Sequence, residues 1–472
     1  MTQFSLPLVP ATNVHELDRD DVESYYIPGG KVYERFFDCP LDYKQPQSGQ
    51  RIRVFARHIV PLGKESQMHK LPFILYLQGG PGFECRFPGS VKGGWYATAI
   101  EENYQILLLD QRGTGLSSPI NANTLKSSTV AAQVEYVSHF RADNIVRDCE
   151  SIRQILCQGR TDPELQKFAL LGQSFGGFCI TTYLSMFPSS ISRALITGGV
   201  PPLVDHPDPV YQATYQHMIV RNKQYYAKYP RDVARVRAII RHLNFADVAL
   251  PDGGRLSPRR FQQLGLSFGF TGGFDSVHQH VLRAASDLET AGCLSTHTLA
   301  VISADQDFDT NPLYCILHES IYCQNGNASN WAAHRIRTEY FADQFEHRWD
   351  HIERRSDPDS PVFFTGESVY PWMLDDYAEL RKLKDVAHGL AEYTGWGQLY
   401  DTDVLAANTV PVAGVSYYND MFVDFGLSER TAQSIKGFHQ WVTNEFHHNG
   451  LAVSTRVPKY LFQLLKGDIT DL

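Results

Sequence analysis

The sequence predicts an α/β fold: a mostly parallel sheet flanked by helices, with a large, mainly helical cap inserted. Three observations carry that prediction. Short apolar runs without alternation recur at 72–80, 104–113, 191–199 and 411–418, as expected of strands buried on both faces. Each run closes on glycines or polar residues, where open α/β sheets gather their functional groups. The stretch from about 204 to 400 changes to aromatic and charged residues at helical spacing, as in 211–220 and 233–240.

Taken in order, residues 24–60 are rich in β-branched and aromatic side chains (Val32, Tyr33, Phe36, Phe37, Ile52, Val54, Phe55). They are expected to add antiparallel strands at the sheet edge. The run 72–80 leads into Gly79-Gly80-Pro81-Gly82, and 104–113 ends in Asp110-Gln111-Arg112-Gly113. The domain division is expected to be 1–203 for the first catalytic segment, 204–400 for the cap and 401–472 for the second catalytic segment. Sheet structure resumes near Thr409.

The most informative motif is Gly172-Gln173-Ser174-Phe175-Gly176, between an apolar run and a helix-compatible segment. This G-x-S-x-G pattern is the nucleophile elbow of the α/β-hydrolase fold. A sharp strand-to-helix turn lifts the serine hydroxyl clear, and small residues on either side let the backbone cross. The following helix points its N-terminal N–H groups at a developing oxyanion. Phe175 is the expected first oxyanion donor, and Gly80 the second, on a loop stiffened by Pro81.

A serine hydroxyl needs a histidine to take its proton and a carboxylate to orient that histidine. In this architecture they follow in the order serine, acid, histidine. Asp420 stands just past the run 411–418, with Asp424 as runner-up. Asp110 comes too early and is expected to be a turn acid bonded to nearby backbone. His439 lies in an apolar alternating run and reads as strand. His447 and His448 follow it in a loop, ahead of a terminal helix around 458–465, and spacing leaves the choice between them open. Adjacent histidines point in different directions and lack an acidic ligand motif, so no metal and no cofactor are expected.

Composition narrows the setting. The 472 residues carry 43% hydrophobic and 20% charged residues and a net charge of -9, a soluble globular profile without the basic patch that nucleic acid requires. No apolar run approaches membrane-spanning length. The start, 1–10, lacks a basic segment before an apolar one, and acids arrive by Glu16 and Asp18. With eight cysteines lacking metal-type spacing, a cytoplasmic protein with reduced thiols is expected. Asn327-Ala328-Ser329 then reads as an incidental glycosylation match.

These motifs together resemble the proline iminopeptidases (prolyl aminopeptidases), serine exopeptidases of the α/β-hydrolase fold. The matching pieces are Gly79-Gly80-Pro81-Gly82, Asp110-Gln111-Arg112-Gly113, Gly172-Gln173-Ser174-Phe175-Gly176-Gly177 and Gly199-Val200-Pro201-Pro202. Tyr418-Asn419-Asp420-Met421 and Asn444–Leu451 fit the longer-chain branch. Gln78 departs from the histidine more usual there. The resemblance implies Ser174 as nucleophile, His448 rather than His447 as base, and Asp420 as orienting acid. It implies removal of one residue, preferentially proline, from a peptide or amino-acid amide with a free N-terminus. Such a site must recognise a charged amine. Glu319 and Glu367, both in aromatic settings, are the candidates, with Tyr322, Trp331, Tyr370 and Trp372 as possible walls for a proline ring. The alternatives are a carboxylesterase or small-amide hydrolase on the same fold, and a non-catalytic ligand-binding module.

Overall fold

Ten strands pair into one sheet in the computed structural model, which describes residues 11–13, 22–45, 49–125, 129–357 and 359–469. The segment read above for a leader, 1–10 with Glu16 and Asp18, lies outside the described residues. The strands are β1 (Thr12–Asn13), β2 (Ser24–Ile27), β3 (Gly30–Pro40), β4 (Arg51–Pro61), β5 (Phe73–Leu77), β6 (Gln105–Asp110), β7 (Phe168–Gln173), β8 (Ile191–Thr197), β9 (Val412–Tyr417) and β10 (Phe438–Thr443). Their order is β1-β3-β4-β6-β5-β7-β8-β9-β10, with β2 also on β3. β2 to β4 are antiparallel, as the residues 24–60 suggested, β1 adds antiparallel to β3, and β4 joins β6 antiparallel. From β6 through β10 every pairing is parallel. His439 lies in β10.

The apolar runs have the burial a two-faced parallel sheet demands. All six residues of β6 and all six of β9 are buried. Helices Ala142–Leu156 and Phe175–Met186 pack on each other, and the second packs on β7, β8 and β5. Arg456–Lys466 covers β8, β9 and β10. The order places β6 and β7 on opposite sides of β5. The chain therefore reverses direction across the sheet there, and a crevice opens beyond the carboxyl ends of β5 and β7.

Among the described residues no sheet strand lies between β8 and β9. That stretch is helical, with Asp208–Lys228 and Gly273–Ala291 the longest elements and one isolated bridge, Ala249 to Arg255. One side chain from the start of the helix Ala142–Leu156 reaches into it, and one within it ties its two ends together. Arg141 donates to the Cys323 carbonyl (2.5 Å) and the Gly397 carbonyl (2.7 Å). Gln324 donates to the Val204 carbonyl and accepts from the Leu399 and Tyr400 amides. The inserted chain is thus cross-tied where it enters and where it leaves.

The turn after β6 is held by charge. Arg112 is buried and uses all five N–H donors: two on Asp148 (2.7 and 2.6 Å) and three on the Leu41, His139 and Pro40 carbonyls. Burial would lower its pKa, but the Asp148 carboxylate outweighs that and raises it. Asp110, at the end of β6, accepts from the Cys85 and Leu116 amides (both 3.0 Å), and burial pushes it up to about 6. It is the backbone-bonded turn acid anticipated above. Asp148→Ala leaves the Arg112 charge buried and half-paired. It is expected to destabilise the fold by about 3–5 kcal/mol, read from the denaturant midpoint against wild type.

Candidate active site

Ser174 sits at the junction of β7 and the Phe175–Met186 helix, with φ 54° and ψ -125°. A positive φ is costly for a residue with a Cβ, and packing must enforce it. The flanking glycines show how. A Cβ on Gly176 would stand 1.9 Å from the Leu77 carbonyl oxygen, and one on Gly172 would stand 2.5 Å from the Gly176 backbone. Only hydrogen fits at either place, so the turn can be this tight. Phe175 opens the helix, so its N–H has no intrahelical acceptor.

The loop after β5 walls the serine on one side. A Cβ on Gly79 would lie 3.0 Å from Ser174 Cβ and 3.6 Å from its Oγ. Gln78 orders this loop: its Oε1 accepts from the Tyr76 hydroxyl (2.8 Å) and the Gly79 amide (3.2 Å). Its carbonyl accepts from Gln111. Gly80 follows directly, in the same loop.

His448 and Asp420 meet beside the elbow. His448 Nδ1 faces Asp420 Oδ2 at 2.8 Å, both residues buried. Asp420 Oδ1 accepts from the Phe422 and Val423 amides (2.9 and 3.2 Å), which fixes the carboxylate. Burial pulls the His448 pKa down, but Asp420, and more weakly Glu367, pull harder, and the net shift is upward. The His448 backbone is held from two distant segments. Its carbonyl accepts from Gln173 Nε2 (2.8 Å), and its N–H donates to the Gly269 carbonyl in the helical insert (3.1 Å). Gln173 in turn accepts from the Thr197 hydroxyl. Gly198 and Gly199 lie between: a Cβ on Gly198 would be 3.4 Å from His448 Nδ1, and one on Gly199 2.1 Å from the Ser174 carbonyl oxygen. The runners-up stand elsewhere. Asp424 caps the Phe425–Ser434 helix at the Leu427 amide and pairs with His217 (2.7 Å). His447 is half-buried, and burial and then Arg221 lower its pKa.

The short helix Leu313–Ile316 packs against the loop after β5. A Cβ on Gly82 would meet the Tyr314 amide nitrogen at 2.6 Å, and the Phe83 and Tyr314 rings cross at 4.8 Å. Tyr314 donates its hydroxyl to Glu367 Oε1 at 2.6 Å. The Glu367 charge acts on His448, Tyr211, Tyr322 and His318, so it lies amid the site. Glu319 is engaged differently. Its two oxygens accept from the Ala332 and Ala333 amides (3.0 and 2.9 Å), capping the Ala332–Tyr340 helix. Burial pushes it up to about 7, against those hydrogen bonds. Of the four aromatic residues expected to wall a proline ring, Tyr322 meets Phe178 and Tyr211 and feels the Asp420 charge. Trp331 donates to His388, Trp372 lies under Arg259, and Tyr370 bonds Tyr215.

Sequence reasoning missed Tyr211, Tyr314, His318 and the anchoring role of Gln173. The Tyr211 hydroxyl and His318 Nδ1 are buried without a hydrogen-bond partner among the described residues. Buried polar atoms are normally paired, and both of these feel the Glu367 charge. The only sequence signal for them was aromatic density in the insert.

A model for the alpha/beta hydrolase fold matches residues 72–241. A proline iminopeptidase from Aeromonas sobria is 43% identical over 429 residues, 91% of this chain and 95% of that protein. The chain belongs to the proline iminopeptidase family. Proline iminopeptidase aneH from Aspergillus aculeatus is 40% identical, covering 92% of this chain and 93% of its own. A tripeptidyl aminopeptidase from Streptomyces lividans is 26% identical over 36% of each chain. Within this family fold, Gln173→Ala would strand the buried His448 carbonyl. We expect a loss of about 1–3 kcal/mol in denaturant unfolding, and restoration by Gln173→Glu only at acidic pH, where a protonated carboxyl can donate.

Proposed function

We propose that the chain is a serine aminopeptidase releasing an N-terminal residue, preferentially proline, from peptides. The observation that carries this is the 2.8 Å Asp420–His448 contact beside an elbow serine, in a chain 43% identical to a proline iminopeptidase over nearly its whole length. The substrate ammonium binds Glu367, whose Oε1 is held by Tyr314 and whose Oε2 has no partner among the described residues. Charge-assisted hydrogen bonds of this kind are roughly twice as strong as neutral ones. Glu319 supports from behind, fixing the helix that packs on Asp208–Lys228, which carries Tyr211. The segment 204–400 acts as a cap that ends the pocket one residue past the serine.

His448, oriented by Asp420, takes the Ser174 proton as its oxygen attacks the first peptide carbonyl. The Phe175 and Gly80 N–H groups hold the oxyanion. His448 then protonates the leaving amine, and the shortened peptide departs. Water, activated by the same imidazole, hydrolyses the prolyl ester and frees Ser174. None of these steps draws on a cofactor. Eight free thiols, seven of them buried, support a reducing, cytoplasmic setting. Among the described residues no helix is long and apolar enough to cross a membrane.

Three experiments test this. His448 must be neutral to act, and its pKa lies above the ordinary value of about 6.5. Activity therefore rises with pH through a limb above that value. Asp420→Asn moves the limb downward and lowers kcat about 10⁴-fold; an unmoved limb contradicts the assignment. The second is a side-by-side assay of prolyl, alanyl and acetyl-prolyl chromogenic amides, with Ser174→Ala as the inactive control. The prolyl amide is expected to turn over fastest and the acetylated one not at all. Equal turnover of the acetylated amide would point instead to an esterase or general amidase. Glu367→Gln is expected to raise KM for the prolyl amide by about 10-fold or more.

A further inference from the structure

We propose that a second cavity, at the opposite end of the sheet from Ser174, binds a small oxyanion of the phosphate class. The cavity holds about 380 Å³ and opens where β5 and β6 begin. Arg35, His58, Lys70, Phe73, Gln105 and Arg160 line it. Ser174 stands at the far end of β7, which pairs in parallel with β5. A strand of five or six residues separates the two places by about 17–20 Å. The proposal is therefore independent of the peptidase chemistry.

Hydrogen bonding fixes the charge state of the cavity. Gln105 Nε2 donates to the Met68 and Leu71 carbonyls (3.0 and 2.7 Å), so its Oε1 is an acceptor. His58 Nε2 lies 2.7 Å from that oxygen and must donate to it. Its Nδ1 is then free to accept from Arg35 Nε, at 3.2 Å. Burial, Arg35 and Arg160 all hold the His58 pKa well below its usual value, so the ring is neutral. The Arg35 guanidinium thus has an uncharged partner, and its two terminal NH₂ groups have no acceptor among the described residues. Among the described residues Arg160 bonds only the Leu71, Leu165 and Met68 carbonyls, and it lies over the Phe73 ring at 4.8 Å.

Neither arginine makes an ion pair with a carboxylate among the described residues. Asp162, the acid on the lining, has one oxygen engaged by the Glu164 amide (2.9 Å). Removing a charge from water without pairing it is costly, and burial lowers the pKa of both arginines. In a chain of net charge -9, two such cations with Lys70 at their side form a local surplus that an anion would neutralise. A guanidinium presents a planar fork that matches phosphate oxygens two at a time. Arg35 is held by Nε with its terminal donors open, the orientation such a contact needs.

Thermal unfolding in millimolar sodium phosphate, against sodium chloride at equal ionic strength, tests the site. The wild-type midpoint is expected to rise by about 2 °C. Arg35→Gln should lose the response and Lys70→Gln part of it, with turnover of the prolyl amide unchanged in both. Phosphorus NMR line broadening of inorganic phosphate, and separately of phenyl phosphate, tells free phosphate from an esterified one. Broadening of either that Arg35→Gln abolishes supports the site. If Arg35→Gln does not fold, the reduced response of Lys70→Gln decides. No midpoint shift in wild type, or an equal shift in wild type and both variants, overturns the proposal.

Discussion

The arrangement depends on one contact, the buried pairing of His448 with Asp420. A buried carboxylate is tolerated only when its lone pairs are occupied, and those of Asp420 are. Asp420 divides its two oxygens between the imidazole and two amides of its own turn. The histidine backbone is pinned on one side by Gln173, next to the nucleophile, and on the other by Gly269 of the insert. Three segments far apart in sequence therefore converge on one residue. The His448 backbone cannot shift without breaking a bond to Gln173 or a bond to Gly269, and the imidazole it carries is held by Asp420.

The second constraint is steric. Around the elbow, the chain crosses itself at Gly172, Gly176, Gly177 and Gly199 with no room for a methyl group. This crowding holds Ser174 in its positive-φ conformation, and it brings the serine against the loop after β5. The same logic extends to the insert, where Leu313 and Tyr314 press on Gly82 and Leu313 on Gly113. The two glycine motifs after β5 and β6 are thus spaced for the helix above them as much as for the turns they make. Beneath them, Arg112 anchors the turn by hydrogen-bonding three carbonyls and one carboxylate at once.

Much of this was legible in the sequence because its causes are local. A buried parallel strand must be a short apolar run, and a strand-to-helix turn this tight must be flanked by glycine, so β5 to β9 and the elbow could be read directly. The edge strands followed from β-branched and aromatic content. What was not legible has nonlocal causes. His447 and His448 are neighbours, and only the fold decides which faces Asp420. Glu319 and Glu367 have similar local surroundings. What separates them is that Glu319 caps a helix thirteen positions downstream, a reach with no sequence signature. Tyr211, Tyr314 and His318 come together from separate helices, and the Arg35–His58–Gln105 relay spans three strands. No short motif encodes either group.

The central claim is that one hydroxyl, that of Ser174, is activated by the paired imidazole. Intact-mass and peptide mapping after treatment with a fluorophosphonate probe tests it most directly. The account predicts a single adduct on Ser174 in the wild type, and labelling slowed by orders of magnitude in folded His448→Ala. Labelling of Ser174 at the wild-type rate in that variant, or an adduct confined to another residue, would contradict it.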